Sequence, residues 1–224
     1  MKSIAVAVLM LLASANTLPT LSEEELRQEK VITDVIINII NGIRQSIIDA
    51  GLDPFEVKSA QGEFALSEPE VFSAVAYAEN FLFKGLSNIA INSLDFSILA
   101  TRLTFDVSLP RISVSVGDSG FEVTLLGREL KGQGSGSLDI IELRLRGDIR
   151  LSFTQDQIVP RSINLWLSLE DIESNLYLNL LGRDISDIVN EYLGTTLPNA
   201  LRESEAEINE LLEYIVWKII ELIL

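Results

Sequence analysis

A glycine repeat is the first motif in this chain whose spacing could bind a cofactor. Gly132, Gly134 and Gly136 are separated by single residues. A glycine-rich loop that leads into a helix N-terminus binds phosphate through its backbone N–H groups. The residues that follow this repeat instead alternate apolar and polar side chains, which is typical of a strand. We therefore interpret the glycines as a turn, a strand edge or a bulge, and not as a nucleotide site.

Two groups of carboxylates could also do chemistry. Glu170, Asp171 and Glu173 form one group, and Asp184 and Asp187 form the other. Paired carboxylates hydrolyse glycosides or bind calcium. The chain has no Asp-x-Asp-x-Asp-Gly loop, and spacing in the sequence does not show a shared cleft. We expect neither a catalytic pair nor a metal site here.

The sequence contains no His and no Cys. A Ser-His-Asp triad, a Cys-His dyad, a His-Glu-x-x-His zinc site and a thiolate metal cage are therefore excluded within it. A lipid hydrolase would need a nucleophile activated without histidine, so we expect the protein not to be an enzyme, and no cofactor is predicted. Disulfides are excluded as well, so the fold must be held by its apolar core.

The charge balance restricts the partners. The chain has 33 acidic and 17 basic residues, a formal net charge of −16, while 47% of its residues are hydrophobic. Nucleic acid, anionic lipid headgroups and lipopolysaccharide would each need a basic surface, so they are not expected partners. We interpret the negative charge as keeping an apolar protein soluble.

The N-terminus predicts export. Lys2 precedes an apolar run over 4–12, and Ala13-Ser14-Ala15 is a small-x-small cleavage site. We expect residues 1–15 to be a signal peptide, residues 16–224 to form a single domain, and the product to be secreted and extracellular. No other stretch is long and uncharged enough to predict an integral membrane span.

Amphipathic helices are predicted at both ends of the mature chain. Ser22 and Glu25 resemble a capping box, and Gly51 and Pro54 end the first helix. Its apolar residues recur at spacings of three and four. A short helical segment at 185–193 and a longer one over 201–223 follow at the other end, and the terminal helix must pack on an apolar surface. The apolar face of the sheet is the only one large enough.

Between the helices the period changes to two. Apolar and polar residues alternate from 89 to 180, which predicts antiparallel strands with one polar face. The parity changes between Ile91 and Leu94 and again between Ile140 and Ile141, as β-bulges would produce, so we expect a strongly curved sheet. Pro110 is expected to break a strand, and Trp166 to lie on the outer face or under a covering element. Residues 55–85 fit either a short helix or irregular strands.

This order of patterns resembles the insect haemolymph juvenile-hormone-binding and takeout proteins and the group 7 mite allergens, within the tubular lipid-binding (TULIP) superfamily. The resemblance lies in the strands around 103–109 ending in Pro110-Arg111, in LKGQGSGSLDIIELRLRGDIRLSF at 130–153, and in YLNLLGRDISDIVNEYLGTTLPNAL at 177–201. It implies an α+β fold of the super-roll type, in which a highly curved antiparallel β-sheet wraps a long amphipathic helix, with a second N-terminal helix. It also implies an apolar tunnel for a lipid-like or terpenoid ligand. Composition and periodicity alone support only the apolar interior.

We predict a secreted carrier whose apolar tunnel binds a small hydrophobic ligand: a lipid, a fatty acid or a juvenile-hormone-like terpenoid. The alternative is a secreted protein-interaction or membrane-surface-associating module without a stoichiometric ligand, which leaves a protein partner or a dimer open. The candidate ligand-binding residues are those of inward parity on the helices and strands. They are Ile36, Ile40, Ile43, Phe96, Phe105, Val107, Leu143, Phe153, Leu165, Leu212, Ile215 and Ile219.

Overall fold

The computed structural model describes residues 23–153 and 158–223, with side chains over 27–152 and 160–218. The predicted signal peptide and Ser22 of the capping box lie outside these residues. The helices are α1 (Glu23–Asp49), α2 (Ser186–Glu191), α3 (Leu197–Glu203) and α4 (Glu205–Ile223), with a π-helix at Tyr192–Thr196 between α2 and α3. The strands are β1 (Phe55–Ala65), β2 (Phe72–Lys84), β3 (Ala90–Ser97), β4 (Arg102–Leu125), β5 (Arg128–Phe153), β6 (Ile158–Ser168), β7 (Asp171–Leu180) and β8 (Arg183–Asp184).

All eight strands form one antiparallel sheet. Its order is β1-β2-β4-β5-β7-β8, while β3 pairs with β4 and β6 pairs with β5. Strands β4 and β5, of 24 and 26 residues, therefore run through two halves of the sheet. In one, which we call the β3/β6 half, β3 and β6 flank them. In the other, the β2/β7 half, β2 and β7 do. The predicted α+β class, with an antiparallel sheet and a separate N-terminal helix, is confirmed.

The two halves meet where Pro110 lies across from Glu142. Leu109 pairs with Leu143 and Arg111 pairs with Ile141, but the positions between them are unpaired. Glu142 has a φ of 48°, and proline has no N–H to donate. The predicted break at Pro110 is wrong, because β4 continues through a position where the ladder needs no hydrogen bond. The predicted change of parity at Ile141 coincides with this irregularity.

Other irregularities agree with the sequence only in part. The register shifts between Ile91 and Ser93, as predicted. It also shifts between Val116 and Ser119 of β4, directly across from Gly136 and Gly134, which agrees with the interpretation of the glycine repeat as a bulge. The glycine repeat lies inside β5, so the interpretation of these glycines as a turn is wrong. The β4–β5 turn is instead formed by Leu126 and Gly127, both at positive φ. Residues 55–84 form the β1–β2 hairpin, which settles the ambiguity of that region.

Polar side chains of the helices bind the backbone at the edges of the sheet. On α4, Asn209 Oδ1 accepts from Leu167 N–H at 2.9 Å and Glu213 Oε1 accepts from Leu165 N–H at 2.8 Å, both on β6. Residues four apart on a helix lie on one face, as do residues two apart on a strand. The terminal helix therefore contacts the sheet at the edge of β6, where two side chains align with two edge N–H groups. Its expected packing on the apolar face of the sheet stays a prediction.

The same arrangement recurs at β7 and β3. Ser186 Oγ and Asn190 Oδ1 of the α2 region accept from Leu178 N–H and Leu176 N–H at 2.8 and 3.0 Å. At β3, Glu29 of α1 accepts from Ile98 N–H at 2.7 Å, just beyond the strand end. Unpaired strand edges are sites of aggregation, and these helices cover the edges of β6 and β7 and contact the chain just beyond β3.

By length and composition, α1 could cross a membrane over Arg27–Asp49, which the sequence analysis did not predict. This is weak evidence, because core helices of water-soluble proteins meet the same criterion. The charged residues Lys30, Asp34 and Arg44 interrupt the segment, and Ile32 is 6% exposed against the sheet. In this structure α1 is a helix that packs on β3.

Candidate ligand-binding site

The five strand residues predicted to bind a ligand whose side chains are described lie on one face of the β3/β6 half. Phe105 and Leu165 are the partners of Gly147 on its two sides, and Phe96 is the partner of Leu103. Directly paired residues of antiparallel strands share a face. Val107 and Leu143 continue that face along β4 and β5. The period of two thus correctly grouped side chains from four strands.

Gly147 is required by the ring of Phe105. A Cβ atom at position 147 would lie 2.1 Å from Phe105 Cζ and 2.2 Å from its Cε1, so the ring lies flat over the glycine. The absence of a side chain at Gly147 lets an aromatic ring occupy the space above the strand. On the other side of Gly147, Leu165 is 2% exposed.

The first helix brings some of its predicted residues to this face. Ile36 packs on the buried pair Ile32 and Phe96, together with Ile98, Leu103 and Leu151. Ile40 is half-buried, whereas Ile43, one turn further on, is 46% exposed. Helix α1 therefore packs on the sheet around Ile32 and Ile36, and nearer its end Arg44 binds the carbonyl oxygen of Ile89 beside β3, while Ile43 stays exposed.

The terminal helix approaches the same half from the opposite edge. Leu212 is half-buried and Ile215 is 42% exposed. Because α1 lies against β3 and α4 against β6, the two helices flank the β3/β6 half. The side chains of Phe153 and Ile219, the remaining predicted residues, lie outside the described side chains. The assignment of a ligand to these twelve residues stays a prediction.

The opposite face of the same strands is polar and held by ion pairs. Arg144 donates from both Nε and Nη2 to the Asp106 carboxylate, and Arg102 binds Asp148, which is 6% exposed. Hydrogen bonds from Arg144 lower the pKa of Asp106 to about 2, and a hydrogen bond from Asn92 acts in the same direction. The sheet thus separates an apolar face from a face of charged and hydroxyl side chains.

Replacing Asp106 with asparagine is expected to lower the stability at pH 7 by about 1 kcal/mol, since Arg144 is partly exposed and solvent screens the pair. The folded-state pKa lies below the ordinary value of 3.8. The stabilisation is therefore complete above about pH 4 and is lost as the pH falls to about 2. Urea unfolding between pH 7 and 2 should show the free energies of unfolding of the wild type and the Asp106→Asn variant converge in acid.

The matched control is Asp95→Asn on the same face, whose free energy of unfolding is expected to lie within about 0.5 kcal/mol of the wild-type value. A difference in stability between Asp106→Asn and the wild type that stays constant down to pH 2 would contradict the assignment.

Shallow depressions lie in the β2/β7 half, where no ligand-binding residue was predicted. One of about 370 Å³ is lined by residues of four strands and the following loop, most of them apolar or glycine, and it adjoins one of about 500 Å³ whose lining includes Glu122 and Lys131. The lining residues of the first are Ala76, Tyr77, Ser119, Gly120, Phe121, Gly132, Gln133, Gly134, Leu178, Asn179, Leu180 and Ile185. None of the twelve predicted residues belongs to either depression.

Glycines create this second surface. A Cβ at Gly132 would lie 2.4 Å from the ring of Phe121, and one at Gly120 would lie 2.7 Å from the ring of Tyr77. The signal in the sequence was a glycine that pairs with an aromatic residue on a neighbouring strand, but pairing cannot be read without the register. Among the described residues, no group of three acidic side chains could hold a metal ion.

Comparisons with known proteins place the chain in a family. The family model of haemolymph juvenile hormone binding protein (JHBP) matches residues 4–224. Among solved structures, the chain is similar to Takeout 1 of Epiphyas postvittana at 13% sequence identity and a TM-score of 0.35, over 73% of this chain and 77% of that one. A search of curated proteins finds no match. Since the family model spans nearly the whole sequence, the chain belongs to the haemolymph juvenile hormone binding protein family.

Proposed function

We propose that the protein is a secreted carrier that binds a small hydrophobic ligand: a lipid, a fatty acid or a terpenoid resembling juvenile hormone. The observation that carries the proposal is the family match over residues 4–224, to a family named for hormone binding. Export rests on the signal-like segment 1–15.

The apolar face of the β3/β6 half is the proposed site. Its strand side chains form continuous rows across β3, β4, β5 and β6, and α1 and α4 flank it. Ile43 and Ile215 are 46% and 42% exposed, so both helices offer apolar surface to a ligand. Burial of that surface would stabilise the complex by about 25 cal/mol per Å². Binding by this means selects for apolar shape and needs no cofactor.

Native mass spectrometry of the secreted protein, followed by organic extraction, tests the proposal. We expect a stoichiometric apolar molecule of low mass in the extract. A protein that is recovered empty and fails to take up a fluorescent fatty acid or a terpenoid would contradict the carrier function.

Replacing Phe105 with alanine is expected to weaken ligand binding by about 10- to 100-fold, because a buried aromatic side chain contributes about 1.5–3 kcal/mol. The matched control is Phe121→Ala. Phe121 also lies over a cross-strand glycine, Gly132, but in the other half of the sheet. Titration of both variants with the same fluorescent ligand, at temperatures where circular dichroism shows both folded, compares the two halves. Equal losses, or a larger loss for Phe121→Ala, would move the site to the β2/β7 half.

A membrane-surface-associating module is the second candidate, and the exposure of α1 favours it. Val31 and Ile48 are 52% and 47% exposed, and the segment containing them is apolar enough for a membrane. Flotation with phosphatidylcholine vesicles separates the two candidates. A carrier remains in the soluble fraction with its ligand, whereas a surface-associating module floats with the vesicles without one.

A further inference from the structure

The polar face of the β3/β6 half carries a group of arginines beside an exposed tryptophan. We define the arginine face as Arg102, Arg144, Arg146, Arg150 and Trp166. Arg146 is the partner of Trp166 on β6 and of Asp106 on β4, and Arg150 is the partner of Arg102. Since paired residues of antiparallel strands project to the same side, all five side chains lie on one surface.

Two of these arginines are paired and two are not. Arg144 and Arg102 form ion pairs with Asp106 and Asp148. Within the described part of the chain, no carboxylate lies within ion-pair distance of Arg146 or Arg150, although the charge of Arg146 helps to lower the pKa of Asp106 across the strand. Arg150 also lies directly across from Arg102, and like charges opposite each other on a sheet are destabilising. An added carboxylate between these strands would relieve that repulsion.

Trp166 is 41% exposed in a row that is otherwise polar. An exposed indole beside a row of arginines is unusual for a merely solvated face, because tryptophan and arginine are among the residues most enriched at the centres of protein interfaces. Serines and an asparagine on the outer strands β3 and β6 lie on the same surface and supply a polar rim to the arginine face: Ser93, Ser97, Ser162, Asn164 and Ser168.

The choice of arginine identifies the kind of partner. The arginine face holds four of the chain's eleven arginines and none of its six lysines. A planar guanidinium matches a carboxylate in two parallel hydrogen bonds, whereas lysine acts as a point charge. A membrane surface would attract lysine as well as arginine, so the absence of lysine from this face favours a partner that carboxylate geometry can select.

We propose that the arginine face binds a carboxylate-bearing segment of a second protein, with Arg146 and Arg150 pairing its acids and Trp166 packing on its side chains. This surface lies on the opposite side of the strands from the proposed ligand site, so a partner could bind the loaded carrier. Long-range attraction does not assist the encounter, since both molecules are acidic. At physiological salt, however, charges separated by more than about 8 Å are largely screened from each other. The affinity then depends on the charges in direct contact.

An octaglutamate peptide tests the proposal, with octaglutamine as the neutral control. In a Trp217→Phe background Trp166 is the reporter, because the chain has two tryptophans. We expect octaglutamate to change the fluorescence of Trp166 saturably, with an affinity that falls as the salt concentration rises. Octaglutamine should cause no change. Arg146→Glu/Arg150→Glu should lower the affinity about tenfold or more, while Lys58→Glu/Lys84→Glu, on β1 and β2, changes the net charge equally and should leave the affinity unchanged.

Four outcomes overturn the proposal. They are no saturable binding, an equal loss in the Lys58→Glu/Lys84→Glu control, vesicle flotation that the arginine variant abolishes, and self-association in sedimentation equilibrium that the same variant removes. The third would assign the face to a membrane, and the fourth to a second copy. If the glutamate variant does not fold, Arg146→Gln/Arg150→Gln removes the same charges without reversing them and gives the same comparison.

Discussion

Replacing Gly136 with alanine is expected to destabilise the protein by about 3 kcal/mol or more, the sum of backbone strain and a clash that cannot relax. Gly136 has a φ of 124°, where side chains are strongly disfavoured. A Cβ there would lie 2.1 Å from the carbonyl oxygen of Asn175 and 2.9 Å from Leu176 Cα. Both atoms belong to the backbone of β7, so relief would require β5 and β7 to separate.

Thermal unfolding by circular dichroism should show the Tm fall by about 6–12 °C or more in a chain of this length. Gly62→Ala is the matched control, since no atom lies within 4 Å of its added Cβ, and its Tm should stay within about 2 °C of wild type. Gly134→Ala should fall between them, because its added Cβ meets the flexible end of Leu178 at 2.7 Å. A Gly136→Ala protein as stable as Gly62→Ala would show that β5 and β7 are not paired as described.

The three glycines of the repeat show where a sequence stops predicting structure. The strand periodicity after the repeat correctly excluded a phosphate loop, because it required a strand and no helix. The sequence could not distinguish the roles of the glycines, since each depends on a residue more than ten positions away. Gly132 accommodates the Phe121 ring, Gly134 accommodates Leu178, and Gly136 accommodates the β7 backbone.

Local signals in the chain were otherwise reliable. The first helix ends at Asp49, before the predicted breakers Gly51 and Pro54, and the bulge after Ile91 lies where the parity changed. Pro110 was misread because a proline interrupts a strand only where its N–H is needed, and that depends on the strand beside it. Local sequence preferences thus predicted the positions of helices and strands, while pairing between strands determined how long the strands are.

The candidate site was predictable as a face and not as a cavity. Phe96, Phe105 and Leu165 share a side because the period of two fixes their direction. The exposure of Ile43 and the partial burial of Ile36, on the same apolar stripe, depend on how α1 is oriented on the sheet, which periodicity does not encode. The side chains of the arginine face share one side for the same reason. Which of its arginines have no carboxylate partner among the described residues is known only from the register, which shows that Arg102 and Arg144 bind Asp148 and Asp106.

Replacing both Asn209 and Glu213 with alanine is expected to lower the stability by about 2–4 kcal/mol and to make the protein aggregate. Each side chain accepts a hydrogen bond from a backbone N–H of β6, at Leu167 and Leu165 respectively. A buried donor left without an acceptor costs about 1–3 kcal/mol. Loss of both contacts would also release α4 from the edge of the sheet, and an uncovered edge strand pairs with other chains.

The control for this prediction is Glu207→Ala/Glu210→Ala, which removes two exposed acids from the same helix and should leave both stability and solubility unchanged. Asn209→Ala/Glu213→Gln keeps an acceptor on α4 for one N–H group of β6, and its stability should lie between those of the two double-alanine variants. Thermal unfolding should give a Tm lower by about 4–16 °C for Asn209→Ala/Glu213→Ala, and light scattering with thioflavin T fluorescence should rise on incubation. If only the Tm fell and the protein stayed monomeric, these side chains would anchor α4 without protecting the edge. If neither changed, hydrophobic packing alone would hold the terminal helix on β6, and the polar contacts would be incidental to it.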